Sequence, residues 1–248
     1  PTRAFWQVAP HFVRDAHGLD DWTRGMVQAT VASLRAGRGV IIVVPDIRDM
    51  VRVRDALGAV IGLGAIAELH ADLGVSARYR NYLAISRGQA RVVVGTRAAV
   101  YAPVADLGLV CLWDDGDDLH ADPRAPYPHT RDVAALRVVA EQSALLLASH
   151  GRTAEVQAWA NRGWLGLIDL GGGELRRRSP AVRATADSDF ALERDPRAAS
   201  SRLPSLAYDT IRTGLASGPV FVHVPRAGYL HVLACQNCRT RVRCPACH

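Results

Sequence analysis

The sequence predicts an α/β fold organised on a doubly wound parallel sheet. Short apolar runs rich in β-branched residues alternate with helical patterns along most of the chain. The runs at 40–44 and 107–112 are apolar throughout, as strands covered on both faces must be. Successive runs are separated by enough chain for helical crossovers, which join parallel strands in the right-handed sense. The expected sheet therefore carries helices on both faces, with ligands taken beyond the carboxyl ends of its strands.

In order, residues 4–8 read as a strand, and Asp20 or Asp21 can cap a helix that runs to about Leu34 before Gly37 and Gly39 stop it. A buried strand at 40–44 closes at Pro45. Helix 47–58, strand 65–70, helix 76–87, and strands 91–94 and 107–112 follow, then helix 130–141, strand 144–148, helix 153–162 and strand 165–170. The texture then changes to Gly, Pro, Ser and charge through about residue 202, which reads as a linker or surface loop. A helix at 203–215, a strand at 220–224 and a cysteine-rich end complete the chain. The expected organisation is a first lobe over 1–165, a linker over 166–201, the start of a second lobe over 202–233 and a metal-binding region from 234 to 248.

Composition limits the class. With 248 residues and 49% apolar content the chain can bury full cores. It contains no run of 18 apolar residues, and its N-terminus lacks a signal-peptide layout, so a cytoplasmic setting with no membrane partner is expected. The missing initiator Met, and an end in the middle of a cysteine pattern, suggest an excerpt of a longer protein. All 30 basic residues are arginine, for a net charge of +6. Coding bias accounts for most of the Arg-over-Lys choice; a basic balance also suits a polyanionic partner such as DNA.

Four stretches carry chemistry. Cys235 and Cys238 form one C-x2-C pair, and Cys244 and Cys247 a second, each with the shape of a zinc knuckle. The four thiolates could build one site, or each pair could join another beyond residue 248. In RVVVGTRAA the strand breaks at Gly95, Thr96 and Arg97, a turn that can offer backbone N–H groups, a hydroxyl and a guanidinium to a phosphate or can simply cap a helix. In PYPHTRD, Tyr127 and His129 can stack on bases or staple a helix start, with Arg131 beside them. In LVCLWDDGDD four apolar residues run into a cluster of carboxylates, the arrangement of an Mg²⁺ site at the mouth of a parallel sheet, but Trp113 stands at the strand tip.

These residues together resemble the PriA family of primosomal replication-restart DNA helicases, in superfamily 2. Val43-Val44-Pro45-Asp46 resembles the family's V-P-E stretch and His70-Ala71-Asp72-Leu73 its H-S-x-L. Val94-Gly95-Thr96-Arg97-Ala98-Ala99 resembles its I-G-T-R-S-A, which implies contact with the DNA backbone, and His129-Thr130-Arg131-Asp132 resembles its H-A-R-D. The cysteine spacing is that of the family's first four of eight zinc cysteines. There the outer pairs share one ion and the inner pairs another, so the resemblance implies two zinc ions in the longer protein and two half-sites here. It also implies a P-loop NTPase-like helicase lobe followed by the start of a second lobe with a zinc-knuckle insertion.

The chain departs from the family where nucleotide is handled. The G-x-T-G-S-G-K-T loop is replaced by VAPHFVRDAHGLDD, and a chain without lysine has no P-loop Lys. The D-E-E-H motif falls on Trp113-Asp114-Asp115-Gly116, a vestigial Walker B whose acids are expected to cap a loop and solvate its surface. The G-S-A-T-P coupling motif falls on Ala148-Ser149-His150-Gly151-Arg152 and keeps only the Ser. Phosphoryl transfer depends on those parts for positioning and charge neutralisation, so ATP and Mg²⁺ are not expected as cofactors and no catalytic residue is assigned. The expected function is a replication-restart protein that binds forked or single-stranded DNA as a loading platform, with primosome and single-strand-binding proteins as partners. The alternatives are an active helicase with a nonstandard nucleotide site and a metal-dependent hydrolase built on Asp114, Asp115, Asp117, Asp118 and His120.

Overall fold

The computed structural model describes residues 2–10, 21–185, 193, 195, 203–223 and 237–238. The chain divides into two compact units, Pro1–Pro180 and Ala181–His248. The first holds a seven-stranded, all-parallel sheet of order β3-β4-β2-β5-β6-β1-β7. Its strands are β1 (Arg3–Gln7), β2 (Gly39–Val43), β3 (Ile66–Leu69), β4 (Val92–Gly95), β5 (Leu107–Trp113), β6 (Ala144–Ser149) and β7 (Gly166–Ile168). The helices are α1 (Asp21–Arg35), α2 (Ile47–Ile61), α3 (Val75–Ser86), α4 (Thr130–Ala140), α5 (Ala154–Asn161) and α6 (Gly172–Arg178).

Strand β2 shows why its sequence is apolar at every position. Its Cβ atoms point alternately to the two faces. Ile41 and Val43 enter one core with Ile85 of α3, Ala134 and Val138 of α4 and Val156 of α5. Val40 and Ile42 enter the other with Met26 of α1 and with Met50, Val53 and Leu57 of α2. The doubly wound expectation is therefore met, with α1 and α2 on one face and α3, α4 and α5 on the other.

The sheet reaches further along the chain than the expected first lobe. β7 pairs with β1 through Ala4↔Gly166, Phe5↔Leu167 and Trp6↔Ile168, inside the span 166–201 expected as linker, and α6 follows it. β7 is three residues long and exposed, the short edge strand that limits unwanted pairing.

In the second unit α7 (Ser205–Leu215) starts after Pro204, and the Ser205 N–H donates to Asp195 Oδ2 at 3.0 Å. The strand expected at 220–224 does not form over 219–223; a strand requires a ladder partner, and none pairs with these residues among those described. Val224 lies outside the described residues.

Gly95 is the most constrained glycine of the sheet's carboxyl edge. A Cβ there would lie 2.0 Å from the Leu69 carbonyl oxygen and 2.7 Å from Ala99 Cβ. Both obstacles sit on β3–β4 backbone and a buried turn, so neither can rotate away. Gly95→Ala is expected to destabilise the chain by about 1–3 kcal/mol, the usual cost of overpacking, read as a lowered urea midpoint. An unchanged midpoint would show that the β3–β4 edge yields.

Candidate functional site

The carboxyl edge of the sheet has two parts of opposite character. Over β5, β6 and β1 it is filled by side chains; over β2, β3 and β4 it is open.

The filled part is built around Trp113, the last residue of β5. Its indole stacks face to face on Trp22, in the first turn of α1, with ring centroids 4.3 Å apart and planes 11° apart. His150, just beyond β6, meets Trp113 edge-on at 5.3 Å, and its Nδ1 lies 3.1 Å from the Val8 carbonyl oxygen that follows β1. Both indoles are only 5% exposed. Aromatic pairs of this kind contribute about 0.5–1.5 kcal/mol beyond the area they bury. Of the segment that replaces the phosphate loop, residues 11–20 lie outside the described residues.

Past Trp113 the chain leaves the ladder through Asp114, which adopts a left-handed φ of 52° while its N–H still donates to the Ala148 carbonyl oxygen at 2.8 Å. Asp114 Oδ1 accepts from the Ser149 hydroxyl at 2.9 Å. Asp115 is completely buried. Its Oδ2 accepts from Arg131 Nη1 at 3.0 Å and from the Thr153 hydroxyl at 2.8 Å. The expectation that these acids solvate a surface loop is thus corrected for Asp115. The reason is local: Arg131 at the start of α4 and Thr153 at the N-cap of α5 both donate to Oδ2 and offset the cost of burying the carboxylate, while Oδ1 has no hydrogen-bond partner among the described residues. Gly116 is exposed beside Thr153, where a Cβ would approach Thr153 Cγ2 to 3.2 Å. Asp117 caps a 3₁₀ turn, Asp118–His120, by accepting from the Leu119 N–H.

His120 is buried, with Nε2 donating to the Trp113 carbonyl oxygen at 2.9 Å; burial holds its pKa below the usual histidine value. The acids and histidine considered for a metal-dependent hydrolase therefore point to different partners: Asp115 to Arg131, Asp114 to Ser149 and His120 to backbone. No group of three or more His, Cys, Asp or Glu able to hold an ion occurs among the described residues. Of the cysteines expected to bind zinc, Cys238 is described and exposed, and Cys235, Cys244 and Cys247 lie outside the described residues. Cys111 lies inside β5, where burial pushes its thiol up to about 12.

The open part is a cleft of about 980 Å³ at the ends of β2, β3 and β4. Thr96 and Arg97 line it. Thr96 stands at the N-cap of the 3₁₀ helix Arg97–Tyr101, but its side chain makes no capping bond, so its hydroxyl is not spent on the helix. Arg97 Nη1 donates to the Leu119 and Ala121 carbonyl oxygens at 3.0 and 2.9 Å, and Nε faces Asp122 at 3.5 Å. Gly95 brings this turn close to β3. Arg48, Arg78, Tyr79, Tyr82 and Tyr101, none of them in a stretch that the sequence marks as a site, also line the cleft.

The PYPHTRD residues are not brought to the cleft as a group. Pro128 and Thr130 line it. Tyr127 is exposed, with φ 57°. His129 caps α4 by accepting the Arg131 N–H on Nδ1 at 3.2 Å, and its pKa is lowered by burial and by the Arg131 charge. Arg131 is buried against Asp115, with Glu155 at 3.5 Å and its guanidinium 5.9 Å from the Trp159 ring.

No family model matches the chain. Among curated proteins it is similar to the probable replication restart protein PriA of Mycobacterium leprae (strain TN), 43% identical over 247 residues, covering 99% of this chain and 37% of that protein. The probable replication restart protein PriA of Mycobacterium tuberculosis (strain ATCC 25618 / H37Rv) is 44% identical over 247 residues, covering 99% and 36%. The replication restart protein PriA of Bacillus subtilis (strain 168) is 26% identical over 250 residues, covering 100% and 30%. The chain thus spans little more than a third of the length of the first two. A solved structure of RecG bound to a three-way DNA junction is similar with TM-score 0.47 and 15% identity, covering 88% of this chain and 25% of that one.

The Asp115–Arg131 pair yields a double-mutant test. Removing one partner strands a buried charge, so Asp115→Ala or Arg131→Ala alone is expected to cost about 3–5 kcal/mol in urea unfolding. Asp115→Ala combined with Arg131→Ala should cost much less than the sum of the two single losses. Additive costs would show that the two side chains are not coupled.

Proposed function

The chain belongs to the PriA replication restart family, and on that premise we propose that it serves replication restart as a DNA-binding scaffold lobe that does no nucleotide-driven work. The observation that carries this reading is the cleft over β2, β3 and β4, where Thr96, Arg97, Arg48 and Arg78 border one continuous groove. Phosphate contacts position a protein on nucleic acid without reading sequence, and hydroxyl and guanidinium groups are the side chains that make them. Gly95 allows the turn carrying Thr96 and Arg97 to lie against β3. The preferred DNA is forked or partly single-stranded, and primosome and single-strand-binding proteins are the proposed protein partners. A cytoplasmic location accords with this role.

The proposed loss of ATP turnover is supported by two features that act independently. The chain has no lysine, and the glycine loop whose backbone N–H groups cradle phosphates in the family is replaced by VAPHFVRDAHGLDD. At the tip of β5 an indole, which has one N–H donor and no acceptor, stands where the family carries its metal-binding carboxylate. Trp22 stacks on one face of that indole and His150 meets it edge-on.

Zinc is proposed as a structural ion of the longer protein. Paired thiolates at C-x2-C spacing suit it, and Cys235, Cys238, Cys244 and Cys247 would supply one half of each of two sites. The ion would cross-link the knuckles and take no part in a reaction.

Three measurements test these proposals. Arg97→Ala is expected to lower DNA affinity and to reduce the slope of log affinity against log salt by up to about one unit, as for one lost phosphate contact; ATP turnover should stay at background with or without forked DNA, and Trp113→Asp should not restore it. DNA-stimulated turnover abolished by Asp114→Asn would overturn the scaffold reading. Metal analysis should find zinc held tightly by the longer protein and loosely by this chain. Stoichiometric, chelator-resistant zinc in the chain alone would point instead to one local four-thiolate site.

A further inference from the structure

We propose that Tyr79, Tyr82 and Tyr101 form a stacking platform that holds the unpaired bases of a strand lying in the cleft. The inference rests on the nucleic-acid reading of the cleft above and adds to it the part of the ligand that is recognised.

The argument begins with α3. Only Ile85 of this helix is buried, so the helix is anchored near its end and leaves most of its surface open. Val75, Arg78, Tyr79 and Tyr82 stand at i, i+3, i+4 and i+7, the spacing of a single helical face, and all four line the cleft. Tyr79 is 63% and Tyr82 47% exposed, and Tyr101, at the end of the 3₁₀ helix Arg97–Tyr101, lines the same cleft at 57%. Three large rings facing solvent in one groove lose apolar contact that a ligand could return.

The charges in the groove indicate a polyanion. Arg48 and Arg78 are exposed and make no ion pair among the described residues, leaving both guanidinium groups available to phosphates. Three arginines, Arg48, Arg78 and Arg97, stand against two carboxylates in the groove: Asp46, which accepts the Asp49 N–H at 2.9 Å, and Asp122, which faces Arg97 and accepts the Arg124 N–H at 2.9 Å. A basic groove lined with aromatic rings is the arrangement that binds single strands through phosphate charge and base stacking, with little regard to sequence. In a duplex the base faces are already covered by their neighbours, so the tyrosines offer it nothing.

The test is fluorescence anisotropy of the full chain with a labelled thymidine strand, the same strand made abasic, and a duplex of equal length. Tyr79→Ala, Tyr82→Ala and Tyr101→Ala are each expected to weaken binding of the thymidine strand about 5- to 100-fold with the salt slope unchanged, and the matching Phe variants to bind as the parent does. The parent should bind the abasic strand and the duplex about as weakly as the Ala variants bind the thymidine strand. All three side chains are exposed, so the variants should keep the parent's unfolding midpoint. Equal affinity for the normal and abasic strands, or tyrosine variants that bind normally while Arg97→Ala still lowers the salt slope, would overturn the stacking platform and leave the phosphate contacts standing. Absence of binding to all three nucleic acids would overturn both, and would favour a protein as the occupant of the groove.

Discussion

The buried carboxylate of Asp115 is the constraint on which the filled half of the sheet edge depends. An ionised carboxyl group at 0% exposure is costly unless it is paired and hydrogen-bonded. Here the charge is met by Arg131 from the first turn of α4 and a hydrogen bond by Thr153 from the cap of α5. Two helices on one face of the sheet are thereby tied at their N-termini to the loop that leaves β5. The other contacts of that loop follow from its fixed path: Asp114 turns through a left-handed conformation to reach Ser149, and His120 folds back onto the Trp113 carbonyl.

Much of the fold could be read from the chain because buried parallel strands leave an unambiguous mark. β2 and β5 are apolar at every position since both faces are covered, and each expected strand of the first unit lies within a few residues of its observed place. The strand expected at 220–224 had the same composition but no partner among the described residues, and composition cannot supply one. β7 was expected as a strand but assigned to the linker, because three exposed residues at a sheet edge carry little burial pattern.

The site was less legible, for a different reason. Thr96 and Arg97 lie in one short stretch, and their position at the end of β4 follows from that strand alone. Arg131 also lay in a short stretch beside an aromatic and a histidine, yet its guanidinium is taken by Asp115, 16 residues earlier in the chain. Such a pairing depends on how β5 and α4 meet, which no local pattern records. The α3 tyrosines posed the opposite difficulty. An apolar stripe at helical spacing ordinarily marks a core face, whereas here it faces the groove and the core takes only Ile85.

The Trp22–Trp113 stack has a consequence for what the lobe can respond to. A ligand shifts a conformational equilibrium only through a difference in its affinity for the two states, and its influence rises and falls with its concentration. An indole pair belongs to the chain itself: it cannot dissociate and has no concentration to vary. Under the proposed function, the place that in the family would be loaded, emptied and loaded again is held in a single condition. On that proposal the lobe would answer to whatever binds it, without fuel to move that partner in a preferred direction.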